Sequence, residues 1–259
     1  MKLQDRVAIV TGGAGGIGSA ICLQLAREGS HVIIADMDAI RASKVCEEIR
    51  SLGRKALAVK TDVTRSESTD NMAKAAVDEF GKIDILVNVA GGVIRKGVPH
   101  STAFHELPKD ICDTTINVNL GGVLNSCRSV IPQMIRQHGG KIVNIASVAG
   151  IIGVAGTVDY STAKGAIITF TRAASKELAQ YNINVNCVSP GAIEHPRTPK
   201  GGPWWDRHKA TVFAPRYGTP EDIARAVVFV ASDDASYMVG QNVTVCGGRS
   251  LGDVTETDW

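Results

Sequence analysis

The sequence has little that clusters locally, and each absence removes a class of function. Its six cysteines, at 22, 46, 112, 127, 187 and 246, lie far apart with no C-x-x-C, so spacing supports neither a disulfide framework nor a zinc site. Reduced, mostly buried thiols are expected instead. The six histidines show no ligand spacing, and no catalytic metal is expected. There is no basic block: 28 basic and 26 acidic residues are spread along the chain for a formal net charge of +2, which argues against nucleic acid and membrane surfaces as partners. Long apolar runs are missing too. The opening MKLQDRVAIVTGG reaches only four apolar residues in a row before its glycines, too few for a signal peptide or a membrane span, so a cytoplasmic protein is expected. No internal repeat is present.

What the sequence does contain is alternation. Short β-branched runs at 7–12, 31–36, 56–62 and 83–90 are separated by helix-period segments over 17–28, 39–51 and 66–80. The second half continues with a long helix over 110–137, a run at 140–147, a helix over 158–180, a run at 183–191, a helix over 220–231 and a last run at 241–248. Near-continuous apolar runs suit parallel strands buried on both faces, and the alternating helices are the crossovers that cover them. The expected architecture is α/β, a single-domain doubly wound parallel sheet of about seven strands over 1–259, with helices on both faces. Two segments break the alternation, 91–108 and the Pro/Gly/Trp-rich 196–220. In open α/β sheets ligands sit beyond the carboxyl ends of the strands, so both are candidate substrate walls, and 193–218 reads as a substrate-lid insertion.

Between the first run and the first helix stands TGGAGGIGSA. Gly13, Gly15 and Gly18 satisfy G-x-G-x-x-G, and Gly12, Gly16 and Gly18 satisfy G-x-x-x-G-x-G. The overlap leaves the role of each glycine open, but the need is clear. Glycines let the backbone turn sharply and approach a pyrophosphate, which then meets the unpaired N–H groups and positive end of the helix. Asp36 ends the second run, where an acidic residue accepts hydrogen bonds from the adenosine ribose and repels a 2′-phosphate. Met37 follows it, and no arginine or lysine lies in the turn. NAD is therefore expected over NADP.

DYSTAKGA, residues 159–166, places Tyr160 and Lys164 four residues apart, on one helix face. By itself this is an ordinary helix-surface pair. With TGGAGGIG, NVAG (88–91), Ser147, YSTAK (160–164) and SPG (189–191) in this order, however, the chain resembles the short-chain dehydrogenase/reductase family over nearly its whole length. The resemblance implies a Rossmann-type NAD(P)-dependent oxidoreductase, usually a homotetramer built through the two long helices. It implies Tyr160 as acid/base, Lys164 as its electrostatic partner and holder of the nicotinamide ribose, and Ser147 as anchor of the substrate oxygen. Asn119 matches the fourth active-site member, whose backbone holds a relay water. For the cofactor it implies the turn residues Gly12, Gly15, Gly16, Ile17 and Gly18, then Asp36 and Met37, with Asp62 and Val63 at the adenine. Asn88, Ala90 and Gly91 match the segment beside the adenosine ribose, and Pro190, Gly191 and Ile193 the edge of the nicotinamide pocket. The chemistry is consistent with those roles. A free phenol with a pKa near 10 is mostly in the wrong state to accept a proton at neutrality, and an adjacent ammonium is expected to lower it.

Three positions depart from the family's pattern. Val89 replaces a usual asparagine, which is expected to lose a backbone-supporting hydrogen bond. His195 replaces a threonine that bonds the nicotinamide carboxamide; whether it supplies that bond, faces substrate or is an exposed lid residue is open. Cys246 stands where an acidic residue is usual, with only a packing difference expected. Ile94, Val148 and Val154, with Val93 beside them, and Trp204 and Trp205 in the lid are the candidate substrate pocket around Ser147, which favours an apolar or cyclic secondary alcohol or its ketone. Arg95, Lys96, Arg197 and Arg207 leave a carboxylate or thioester-linked substrate open. Oxidation is the expected direction. The alternatives are a 3-oxoacyl-thioester reductase of the same family, which Asp36 disfavours because such reductases commonly prefer NADPH, and a non-catalytic NAD(H)-binding subunit or redox-sensing partner.

Overall fold

The computed structural model describes residues 1–194 and 211–252. Seven strands, β1 (Val7–Thr11), β2 (His31–Asp36), β3 (Ala56–Lys60), β4 (Ile85–Asn88), β5 (Gly140–Ile145), β6 (Ile183–Pro190) and β7 (Asn242–Val245), form one sheet in the order β3-β2-β1-β4-β5-β6-β7. Every neighbouring pair is parallel. The helices are α1 (Gly16–Arg27), α2 (Ala39–Ser51), α3 (Ser66–Phe80), α4 (Lys109–Ile116), α5 (Gly122–Arg136), α6 (Ala149–Ile152), α7 (Val158–Leu178) and α8 (Pro220–Ala231).

Strand alternation divides the core into two layers. Ala8, Val10, Ile34, Ile85 and Val87 face α1, α2 and α8, where Ile21, Leu25, Ile49 and Val227 meet them. The intervening Val7, Ile9, Ile33 and Leu86 face α3, α5 and α7, against Met72, Val130, Met134 and Ile167. Each fully buried Ile or Leu in these layers stabilises the fold by roughly 1.5–3 kcal/mol relative to exposure. Helix α8 starts where its sequence says it should. Thr219 and Asp222 form a reciprocal capping box, with Pro220 in the first turn.

Two elements differ from the sequence reading. The expected helix over 110–137 is broken by a π-helical turn at Asn117–Gly121 between α4 and α5. Helix α6 is one short turn just beyond β5, too brief to leave a periodic signal. The strand order reverses between β1 and β4, and a crevice opens beyond the carboxyl ends of those strands. No helix among the described residues is long and apolar enough to cross a membrane.

Candidate active site

The turn from β1 into α1 leaves backbone donors free. No side chain caps α1, and no acidic residue lies in its first turn. The first N–H groups at Gly16, Ile17 and Gly18, with the positive helix end, therefore open on a cleft of about 410 Å³ that these residues line. Gly18 permits the tight approach: a Cβ there would lie 2.0 Å from the Gly12 carbonyl oxygen. Gly12 and Gly15 line the same cleft, as do Asp36, Met37, Asp62 and Val63, then Ala90 and Gly91 on its far wall. Met37 is largely exposed. The Asp36 carboxylate accepts from Ala14 N–H at 3.0 Å and Asp38 N–H at 2.9 Å, tying the end of β2 to the glycine turn. A carboxylate has about four lone-pair sites, so about two remain for a diol. Free N–H groups for a pyrophosphate and a carboxylate for a ribose fit a dinucleotide.

Beyond Ile17, Val89 and Gly91 the cleft continues into a recess of about 250 Å³ lined by Ser147, Tyr160 and Lys164, with Pro190, Gly191 and Ile193 at its edge. Tyr160 and Lys164 lie on α7, and Ser147 follows β5. The Ser147 side chain stands close enough to the Tyr160 phenol to act on its charge. Lys164 is buried; its Nζ donates to the Ile145 carbonyl at 2.8 Å and stands 5.7 Å from the centroid of the Tyr160 ring. Burial pushes the Lys164 amine down to about 8. The phenol departs from the sequence argument. Burial raises the Tyr160 pKa, and the Ser147 side chain pulls it only part of the way back, because a low-dielectric setting disfavours the tyrosinate charge. Asn119 is fully buried in the π-helical turn; its amide donates to the Gly92 and Thr115 carbonyls at 2.9 and 2.8 Å and accepts from Gly92 N–H at 2.9 Å.

Several expected site residues point elsewhere. The Asn88 side chain lies on the α5/α7 face and donates to Asn144 Oδ1 at 2.8 Å, away from the cleft. Its neighbours Leu86 and Ile85 already show the alternation that could have placed it there. Val148 is buried, with its N–H on the Pro190 carbonyl. Val154 lines a separate open groove between α6 and α7. Ile94 is half-buried and lines neither the cleft nor the recess. Arg95 is engaged internally, as a bidentate partner of Asp159. His195, Arg197, Trp204, Trp205 and Arg207 lie outside the described residues. The two ends of that insertion meet, since Ile193 bridges Gly218 and Glu194 N–H donates to the Gly218 carbonyl at 2.8 Å.

One residue was missed. Thr11 Oγ1 accepts from Val89 N–H at 3.1 Å and Ala90 N–H at 3.3 Å, holding the backbone that Val89 cannot support with its own side chain. A hydroxyl ending β1 one residue before the glycine turn was the available signal. Cys246 packs beneath Gly191, and its Sγ lies 3.3 Å from Ser250 Oγ.

Comparison with known proteins gives consistent matches. The family model described as short chain dehydrogenase matches residues 6–204. The (2S)-[(R)-hydroxy(phenyl)methyl]succinyl-CoA dehydrogenase subunit BbsD of Thauera aromatica is 39% identical, over 97% of this chain and 99% of the relative. The 3-oxoacyl-[acyl-carrier-protein] reductase FabG of Thermotoga maritima is 38% identical, over 96% of this chain and 99% of its own length. Among solved structures, an NAD+-bound xylitol dehydrogenase superposes with a TM-score of 0.87 at 33% identity, covering 96% of this chain and 100% of that one.

Proposed function

Because the chain belongs to the short chain dehydrogenase family, we propose that this oxidoreductase uses NAD to interconvert a secondary alcohol and its ketone, with Tyr160 as the acid/base. The observation that carries the proposal is the convergence of Ser147, Tyr160 and Lys164 on a recess continuous with the glycine-turn cleft. When bound, the nicotinamide supplies the hydride acceptor or donor. The protein's own groups manage the oxygen. Ser147 holds it by a hydrogen bond that strengthens as negative charge builds there, and the Tyr160 hydroxyl gives or takes the proton. The raised phenol pKa suits donation to a ketone. For oxidation the phenol must become a base, and the Lys164 ammonium over its ring is the charge that stabilises tyrosinate. Asn119 positions the wall by clamping Gly92 from both sides of its peptide group. Asp36, with no basic residue in the glycine turn, supports NAD over NADP.

The substrate reading is an apolar or cyclic secondary alcohol, oxidised in the physiological direction. The names of two relatives favour a second reading, a hydroxyacyl or oxoacyl thioester: one acts on a succinyl-CoA bearing a hydroxy(phenyl)methyl group, the other on a 3-oxoacyl carrier protein. An aryl carbinol carried on a thioester satisfies both. A homotetramer assembled through α5 and α7 belongs to the same proposal, and sedimentation velocity measures it. The deciding experiment follows reduced nicotinamide absorbance with cyclic and aryl alcohols, free and as coenzyme A thioesters, with NAD and NADP. Tyr160→Phe is expected to keep dinucleotide affinity within about threefold and to lower kcat by about 10²- to 10⁴-fold. A near-parental rate in that variant rejects the assignment. Tight NADH binding with no turnover across the whole panel supports the non-catalytic binding subunit instead.

A further inference from the structure

Asp159 immediately precedes Tyr160, in the first turn of α7, and its carboxylate is fully buried. Arg95, from the segment joining β4 to α4, reaches it end-on. Nη1 donates to Oδ2 at 2.9 Å and Nη2 to Oδ1 at 2.7 Å, while Nε has no partner among the described residues. The same guanidinium donates to the Ile94 carbonyl at 2.7 Å and the Gly156 carbonyl at 3.3 Å. Asp159 also stands close to the Tyr160 backbone N–H and to the side chain of Thr115 on α4, whose hydroxyl donates to the Ile111 carbonyl at 2.9 Å. At Gly156, a Cβ would lie 2.9 Å from Ser101 Cα, so the 91–103 segment presses directly on the turn that leads into α7.

One ion pair therefore gathers the β4–α4 segment, α4, the α6–α7 turn and the start of the helix that carries the phenol. A carboxylate and a guanidinium this deeply buried hold each other in place because neither can reach water, and the fork geometry fixes orientation as well as distance. The arrangement also removes Arg95 from substrate binding: its terminal nitrogens are occupied by Asp159 and two carbonyls.

We propose that Arg95 and Asp159 are a positioning pair for the reaction, locking the wall at 91–103 to the first turn of α7 and so fixing where the Tyr160 hydroxyl meets the substrate oxygen. This rests on Tyr160 being the acid/base, since misplacing that hydroxyl is what costs rate. If the pair served only to stabilise the fold, breaking it would lower the melting temperature and leave the folded enzyme's kinetics unchanged.

Three variants separate the two roles. Arg95→Lys keeps the charge and loses the fork. Asp159→Asn leaves a buried cation without its counter-charge. Arg95→Met combined with Asp159→Leu removes both charges, so it folds even if the single variants fail. In the folded protein, Arg95→Lys is expected to lower kcat about 3- to 10-fold and the double variant about 10-fold or more, with NADH affinity within about twofold of the parent. The ratio of kcat/KM for a slim against a bulky alcohol should shift with them, because the wall is released together with the helix. A kcat and alcohol selectivity within twofold of the parent in Arg95→Lys and in the double variant would overturn the proposal while leaving the assignment of Tyr160 standing. A parent enzyme inactive on every alcohol rejects that assignment, and the positioning role with it.

Discussion

The two ends of the sheet carry cavities of similar size and opposite character. At the carboxyl ends of the strands the cleft of about 410 Å³ is walled by glycine backbone, with uncapped helix N–H groups and a carboxylate that keeps acceptor capacity. At the amino ends a cavity of about 450 Å³ is rimmed by formal charges, most of which meet one another, Lys141 being the exception among the described residues. Lys2 pairs with Asp234, Arg6 with Asp84 at 3.5 Å and Asp233 at 3.3 Å, and Lys82 with Asp84 at 2.9 Å. Asp84 further accepts from Val7 N–H at 2.8 Å, fastening the start of β1. Room for a ligand exists at both ends, but free helix N–H groups beside a carboxylate with spare acceptor capacity occur at one. That difference identifies the binding end better than volume does.

The largest test of this contrast is Gly18→Ala. Its Cβ would collide with the Gly12 carbonyl at 2.0 Å, so the turn must open and its donors diverge. NADH affinity, read by fluorescence titration, should fall by roughly 100-fold, near the upper range for overpacking a tight site. Parent-like binding would break the comparison at its strongest point. Asp36→Ser comes next. It removes charge-assisted hydrogen bonds of ~1.5–3 kcal/mol, so the kcat/KM ratio for NAD over NADP should drop about 10- to 100-fold. The smallest effect belongs to the amino end. Arg6→Ala should lower stability by ~1 kcal/mol or less, since the arginine is half-exposed, and leave kcat/KM unchanged. A loss of activity there would mean that the amino-end cavity takes part in function after all.

The seven strands and the glycine turn were legible because they are written in local pattern: β-branched runs, period-3.6 segments and glycines at a strand-to-helix junction. The seven expected strand runs all appear in the sheet: the run at 31–36 keeps its bounds and the other six are shortened, as at 83–90, which yields only Ile85–Asn88. The facing of Asn88 followed from alternation as well, but its place in a binding motif obscured that. Other features could not be read. Arg95 and Asp159 stand 64 residues apart, and no local pattern joins them. The lone turn of α6 is shorter than any period it could display. The phenol's pKa depends on how deeply it is buried and on how closely Ser147 approaches it, and spacing along a helix specifies neither.

The π-helical turn at Asn117–Gly121 has a consequence for the chain beyond it. A turn of this kind accommodates one residue more than the regular coil, and each residue rotates the downstream helix by about 100°. The insertion therefore sets the phase of α5, whose Val123, Cys127, Val130 and Met134 meet the sheet only because that extra residue has been counted. Excising a single residue there would swing this stripe away from the strands and bring polar side chains round to take its place. The segment's length is thus held constant by the helix it leads into as firmly as Asn119 is held by its own hydrogen bonds.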